Sequence, residues 1–572
     1  MTWLFGPFLL AGGLISVLAL KPDSFTAFNT QTSFNVNVPL GLSGLSTQGA
    51  GGFDCPQSSA IHPTLHRELN EKLNGIYGTE GFKSKTYETL GGAIRVPTES
   101  YDGMGPVGKD ARWKVFSGLH TFLEDRFKRL YSDLVVTKVN TYGLVFHWQG
   151  SDDSLLPILL TAHQDVVPVE PITWNEWTHP PYSGHFDGTW IWGRGSCDDK
   201  SSLIAILVVI EELLNQGFTP KRTIVVAFGF DEESAGTAGA GQIAKYLETR
   251  YGRDSFATLL DEGSGFQKVA GGDVIFAVPS TSEKGYTDIL VEVSTQGGHS
   301  SVPPKHTSIG ILSSAIVAIE SSEHTPQLLR NGTPFATYQC IAEYGPDIPD
   351  SLRKLVKRAA EDDDALDQLK WALIDVDPIN SAMFGTTQAV DLIRGGVKVN
   401  ALPESASAVV NHRIAEHSSV VEVRKHLTQV LRPVAEAFDL TLDSFGVNVT
   451  EGSRGRLTIG TAFGAVLEPS PVTPTGLSGP YAILSGTIKA TLEGSEVHPS
   501  KSVVVSPMLA MGNTDTRFYW NLTKHIFRYA HFADDDAYNG YHTVNEAIRA
   551  EALIEEIQFL TTFVLNWDEA TI

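Results

Sequence analysis

From about residue 150 the chain alternates short apolar runs with longer segments that carry one broad apolar face. Leu155 to Thr161 is apolar over a strand's length, as expected for a strand buried on both faces. Ser201 to Gln216 is apolar over most of its surface and stops at Gly217, which predicts a buried helix with a glycine stop. Thr223 to Phe230 and Phe256 to Leu260 predict further buried strands, with a helix over Gly241 to Arg250 between them. Strands alternating with helices imply a mainly parallel sheet, hence an α/β, doubly wound domain.

The texture changes near residue 285. Thr287 to Ser294 and Ala406 to Ile414 alternate apolar and polar positions, as antiparallel strands with one wet face do. Helices are predicted over Ser308 to Glu320, an acidic stretch around Ala359 to Ile374, and Val420 to Phe438. This is an inserted α+β domain. Thr543-Val-Asn-Glu546 has the form of a capping box and predicts a closing helix that starts just after His542. The resulting division is 1–21 targeting segment, 22–60 linker or stalk, 61–285 first part of the α/β domain, 286–447 inserted domain, and 448–572 return to the α/β domain.

Composition narrows the compartment and the partners. The chain has 572 residues, enough for two or three domains, and a net charge of −23. With no basic cluster to override that sign, nucleic acid is excluded as a partner. Thr2 to Leu20 carries no charge and ends at Lys21-Pro22, which reads as either a signal peptide or a transmembrane signal anchor. Sequons at Asn331, Asn448 and Asn521 agree with a glycoprotein of the secretory pathway, vacuolar or secreted. Among Cys55, Cys197 and Cys340 one disulfide can form, Cys55 with Cys340 for instance.

In an open parallel sheet, ligands bind beyond the carboxyl ends of the strands. Those ends carry His163-Gln-Asp165, Asp231-Glu232-Glu233 and Asp261-Glu262-Gly263, and Asp198-Asp199 precedes the buried helix. So many carboxylates at one rim would be costly without a counter-charge. A pair of divalent metal ions supplies it, and imidazole with carboxylate suits zinc. In His-x-Asp, Asp165 can orient the imidazole of His163. Rival motifs are absent or misplaced: there is no His-Glu-x-x-His and no Gly-x-Ser-x-Gly, and Gly239-Ala-Gly241 does not directly follow a strand.

These segments, with Pro97 to Gly108, Gly193 to Lys200, Gly297 to Ser300, Val399 to Pro403, Gly512 to Arg517 and His542 to Glu546, resemble the cocatalytic dizinc exopeptidases. That family includes aminoacylase, carnosinase and glutamate carboxypeptidase, and the resemblance is strongest to its carboxypeptidase S (Gly-X carboxypeptidase) branch. It implies a ferredoxin-like lid and dimerisation domain for the insertion, often a homodimer, and two zinc ions per subunit. It also implies zinc-activated water that cleaves the amide bond of a peptide or N-acyl amino acid beside a free carboxylate. By the same resemblance, His163 ligates one ion and His542 the other, while Asp198 bridges both across a cis peptide to Asp199. Glu233 is a further ligand, and the last one falls at Asp261 or Glu262, with Asp261 favoured. Glu232 is the general base, Asp165 orients His163, and His299 helps to hold the scissile carbonyl oxygen. Asn400 and Arg517 contact substrate, with Arg413 a second candidate for the carboxylate.

Overall fold

The structure is a computed structural model that describes residues 54–572. The expected targeting segment and most of the expected linker lie outside the described residues. Those of the linker that are described do not form a stalk. Cys55 is buried in a disulfide with Cys340, Gln57 bonds the backbone of Val505, and Ile61 N–H donates to Gly486. No helix among the described residues is long and apolar enough to cross a membrane.

The larger sheet has ten strands. At its centre Ile224–Gly229, Ile158–His163, Thr258–Val269 and Ile526–Ala533 run side by side in parallel. Gly143–Trp148 is antiparallel to its neighbour, so the sheet is mixed. Alternation along the central strands sorts their side chains into two cores. Leu160, Val226 and Phe228 join the core under helices Lys200–Asn215 and Ala550–Glu569, while Leu159, Val225 and Ala227 join the one under helix Ala240–Tyr251. Both faces are therefore covered, which is why these strands read as continuous apolar runs.

A six-stranded sheet forms the second domain, in the order Thr387–Gly395, Ser405–Ile414, Gly285–Thr295, Gly455–Leu467, Thr441–Ser444, Val447–Thr450. Helices Ser308–Glu320 and Val420–Ala437 cover one face of it. This sheet takes in Gly455–Leu467, so the return to the first domain expected at 448 comes only after Leu467.

Between those parts lies a helical segment, with helices Thr333–Tyr344, Asp350–Ala359, Asp363–Val376 and Ile379–Phe384. The acidic helix expected around Ala359 to Ile374 is Asp363–Val376, whose start Asp362 caps by accepting from Asp364 and Ala365 N–H. This segment does not belong to the six-stranded domain. Phe335, Tyr338 and Ile341 pack with Phe276, Val504, Met508 and Leu509 on the outer strands of the larger sheet. At the junction, buried Lys284 donates through Nζ to the carbonyls of Ala382 and Gly385, both at 2.7 Å. Of the sequon asparagines, Asn331 and Asn448 are exposed, whereas Asn521 donates its amide to Glu248.

Candidate metal centre

The strand Ile158–His163 delivers His163 to the carboxyl rim, and the turn after Gly193 delivers Asp198 to the same place. That turn is held by its neighbours. Gly195 has φ 87°, and a Cβ there would lie 2.6 Å from Val166. Glu546 accepts the N–H groups of Gly195 and Cys197 at 2.9 and 3.0 Å and pairs with buried Arg194 at 2.5 Å. Glu546 is therefore not a helix cap as expected, since its side chain is fully used here, and the closing helix is Ala550–Glu569. The peptide bond between Asp198 and Asp199 is cis.

Asp198 has one oxygen for each histidine. Oδ1 lies 2.8 Å from His163 Nε2 and Oδ2 lies 3.0 Å from His542 Nε2. His542 Nε2 is also 3.0 Å from Glu233 Oε1, and His163 Nε2 is 3.6 Å from Glu262 Oε1. Two ligand groups result, His163 with Asp198 and Glu233, and His163 with Asp199 and Glu262, each with its donor atoms within 4.8 Å. Asp199 was expected only as the second half of a dipeptide. Its carboxylate also accepts His163 N–H at 3.3 Å, and the doubled aspartate is the sole signal in the sequence that points to it.

Asp165 accepts the N–H groups of Glu232 and Glu233, both at 3.1 Å, and the hydroxyl of Ser100 at 2.7 Å. It thereby ties the acidic turn to the His163 strand, and its Oδ1 lies 3.3 Å from His163 Nδ1. Asp231 organises the same turn by accepting from Ala238 and Gly239 N–H. The Glu232 carboxylate accepts no hydrogen bond among the described residues, and His163, Glu233, Asp165 and Asp198 all act on its charge. Asp261 turns the other way. Its Oδ1 accepts from Thr161 Oγ1 at 2.7 Å, so the preference for Asp261 over Glu262 does not fit the geometry. Successive residues on extended backbone face opposite ways, and Glu262 is the one that faces His163.

The carboxylates of the cluster outnumber its two histidines. Burial and then neighbouring carboxylates push Glu232 well above the usual range, and Glu262 and Asp199 rise with burial as well. Burial opposes the charge on His542, yet its contacts to Asp198 and Glu233 raise it to about 10. Protons and metal ions compete for these same atoms. The donor set, imidazole nitrogen and carboxylate oxygen only, fits zinc.

The other expected contacts lie apart from this cluster. His299 pairs with Ala401 on an exposed two-residue ribbon and accepts Ser301 N–H, and Asn400 is exposed beside it. Neither is joined to the cluster, because the ribbon belongs to the inserted domain. Arg517 is closer, donating to Ala235 O in the acidic turn at 2.5 Å. Arg413 donates to Asn513 Oδ1 at 3.3 Å.

Fold and site together define a metal-dependent hydrolase with a histidine and carboxylate cluster at the carboxyl rim of a doubly wound sheet. The sequence pattern of Peptidase family M20/M25/M40 matches residues 159–566, and the chain belongs to that family. It is 38% identical over 528 residues to Carboxypeptidase S of Saccharomyces cerevisiae, covering 91% of this chain and 90% of that one. It is 31% identical over 490 residues to the N-fatty-acyl-amino acid synthase/hydrolase of Mus musculus, covering 84% of this chain and 87% of that one. Among solved structures, human carnosine dipeptidase 1 superposes with TM-score 0.58 at 15% identity, over 89% of this chain and all of that one. An M20 family metallo-carboxypeptidase from Sulfolobus solfataricus gives TM-score 0.54 at 16% identity, over 85% of this chain and 99% of that one.

Proposed function

We propose that this protein is a dizinc carboxypeptidase that removes the C-terminal residue from short peptides. The observation that carries the reading is Asp198, whose two oxygens face two different histidines. His163 and Glu262, with Asp198, would hold one ion, and His542 and Glu233, with Asp198, the other. The two ions would supply Lewis acidity toward the carbonyl and toward water. Glu232, its carboxylate free of other hydrogen bonds, takes the proton of the attacking water and hands it to the departing amine. Asp165 fixes the ring of His163 and the turn that carries Glu232. Arg517 and Arg413 select a free carboxylate.

His299 and Asn400 reach substrate only if the lid closes or a second copy supplies them, so we assign them to a closed or dimeric form. The uncharged run Thr2 to Leu20 and the sequons at Asn331 and Asn448 support a vacuolar or otherwise secretory setting. A second reading, hydrolysis or synthesis of N-acyl amino acids, is favoured by the similarity to the mouse synthase/hydrolase.

The test is direct. The purified protein should contain two zinc equivalents and hydrolyse N-blocked Gly-Leu faster than an N-fatty-acyl amino acid, and a chelator should abolish both activities. A metal-free preparation with full turnover would refute the reading, and the opposite substrate order would favour the second one.

A further inference from the structure

Two arginines meet on one tyrosine where the domains join. Tyr286 belongs to strand Gly285–Thr295 of the lid and lies in register with Arg413 on the neighbouring strand. The Arg413 guanidinium sits over the Tyr286 ring, 5.6 Å from its centroid. From the catalytic domain, Arg517 donates through NH1 to the Tyr286 hydroxyl at 3.4 Å. One side chain thus touches both cations across the domain boundary. The contacts continue on either side. Arg517 reaches Ala235 O, three residues beyond Glu232, and Arg413 reaches Asn513, whose amide donates to Lys284 O beside the lid strand.

Neither cation is in contact with an anion among the described residues, although buried Asp515 and Asp231 act on Arg517 from a distance. Among the described residues neither guanidinium forms an ion pair, and Arg517 Nε is buried without a partner. In a chain of net charge −23, two arginines that share one tyrosine and touch no carboxylate are out of keeping with their surroundings. Two guanidinium groups that share one tyrosine form a place for an anion that both can bind. A carboxylate offers two oxygens and suits guanidinium donors.

We propose that Tyr286 is a positioning residue that holds Arg413 and Arg517 as a pair around the free carboxylate of the substrate. This rests on the amidohydrolase reading above and adds to it the residue that sets carboxylate specificity. Its ring supports Arg413 and its hydroxyl fixes Arg517. Tyr286→Phe keeps the first contact and removes the second.

The experiment compares N-blocked Gly-Leu with the same compound amidated at its C-terminus, in the zinc-loaded full chain. In wild type the free acid should be strongly preferred in kcat/KM. In Tyr286→Phe that preference should fall about tenfold, through a higher KM for the acid with kcat little changed. Arg517→Lys should reduce the same preference, and the double variant should lose little more than the single ones, since the two residues act as one unit. Two results would overturn the proposal: a preference unchanged in Tyr286→Phe, or losses that add fully in the double variant. Should Tyr286→Phe fail to fold, wild type decides, because equal turnover of acid and amide also overturns it. Wild type inactive on both compounds would instead bring down the parent reading.

Discussion

At the residue scale the centre is a problem of charge, and each side chain's part can be separated. Glu232→Gln removes the proton acceptor but leaves every ligand in place. It should retain both metal equivalents and lose about 10²- to 10⁴-fold in kcat, read by metal analysis together with steady-state kinetics. The neighbouring pair Asp261-Glu262 offers a sharper comparison. Glu262 faces His163, whereas Asp261 is bonded to Thr161. Glu262→Gln should therefore bind less than two equivalents of zinc, and Asp261→Asn should bind both. Equal metal content in the two variants would refute the assignment of Glu262. No spacing rule could have separated these residues, since either can follow a strand end. Side-chain direction decides between them, and that depends on where the strand leaves its pleat.

At the element scale the sequence was most informative where one force dominated. The helix expected over Ser308 to Glu320 is found with those bounds, and Val420 to Phe438 is shortened by one residue. Their apolar faces and capping hydroxyls, Thr307 and Ser419, act together. The strands at the rim were legible because burial on both faces leaves only apolar residues. Glu546 was misread, since the pattern Thr-x-x-Glu carries no information about a tertiary partner. Arg194 and two loop N–H groups claim that carboxylate, and the segment after His542 stays irregular. Glu546→Ala should cost about 3–5 kcal/mol, because it leaves Arg194 buried and unpaired. Urea unfolding measures the cost directly, and a loss below 1 kcal/mol would show that the turn holds itself.

The whole molecule carries a second buried charge cluster, away from the metal centre, that ties its parts together. His498 Nε2 lies 3.0 Å from Asp536 and 3.1 Å from Glu555, joining the loop before strand Ser502–Val505 to the closing helix. Burial opposes its protonation, but the two carboxylates raise it to about 9. In the unfolded chain a histidine titrates near 6.5, so the folded state binds this proton more tightly. The resulting stabilisation, about 3 kcal/mol at most, is complete below about pH 6.5 and is lost as pH rises through 9. The gap in Tm between wild type and His498→Asn should thus be widest near pH 6 and close by pH 10. A gap independent of pH would show that His498 is neutral in the fold. The acidic optimum of this contribution agrees with the compartment proposed above.

The helical segment between the two halves of the lid has a mechanical consequence. A lid entered and left once by the chain pivots about the line joining its two connections. Here the chain crosses between the bodies four times, near residues 284, 325, 386 and 468, because the segment in the middle is packed against the larger sheet. Four crossings constrain a rotation between the bodies more than two would. The Cys55–Cys340 bond fastens that segment to the start of the described chain, and Lys284 fastens its end to the junction. These ties restrict how far the two bodies can turn against each other, so any closure that brings His299 toward the metal centre must strain or bend all four crossings together.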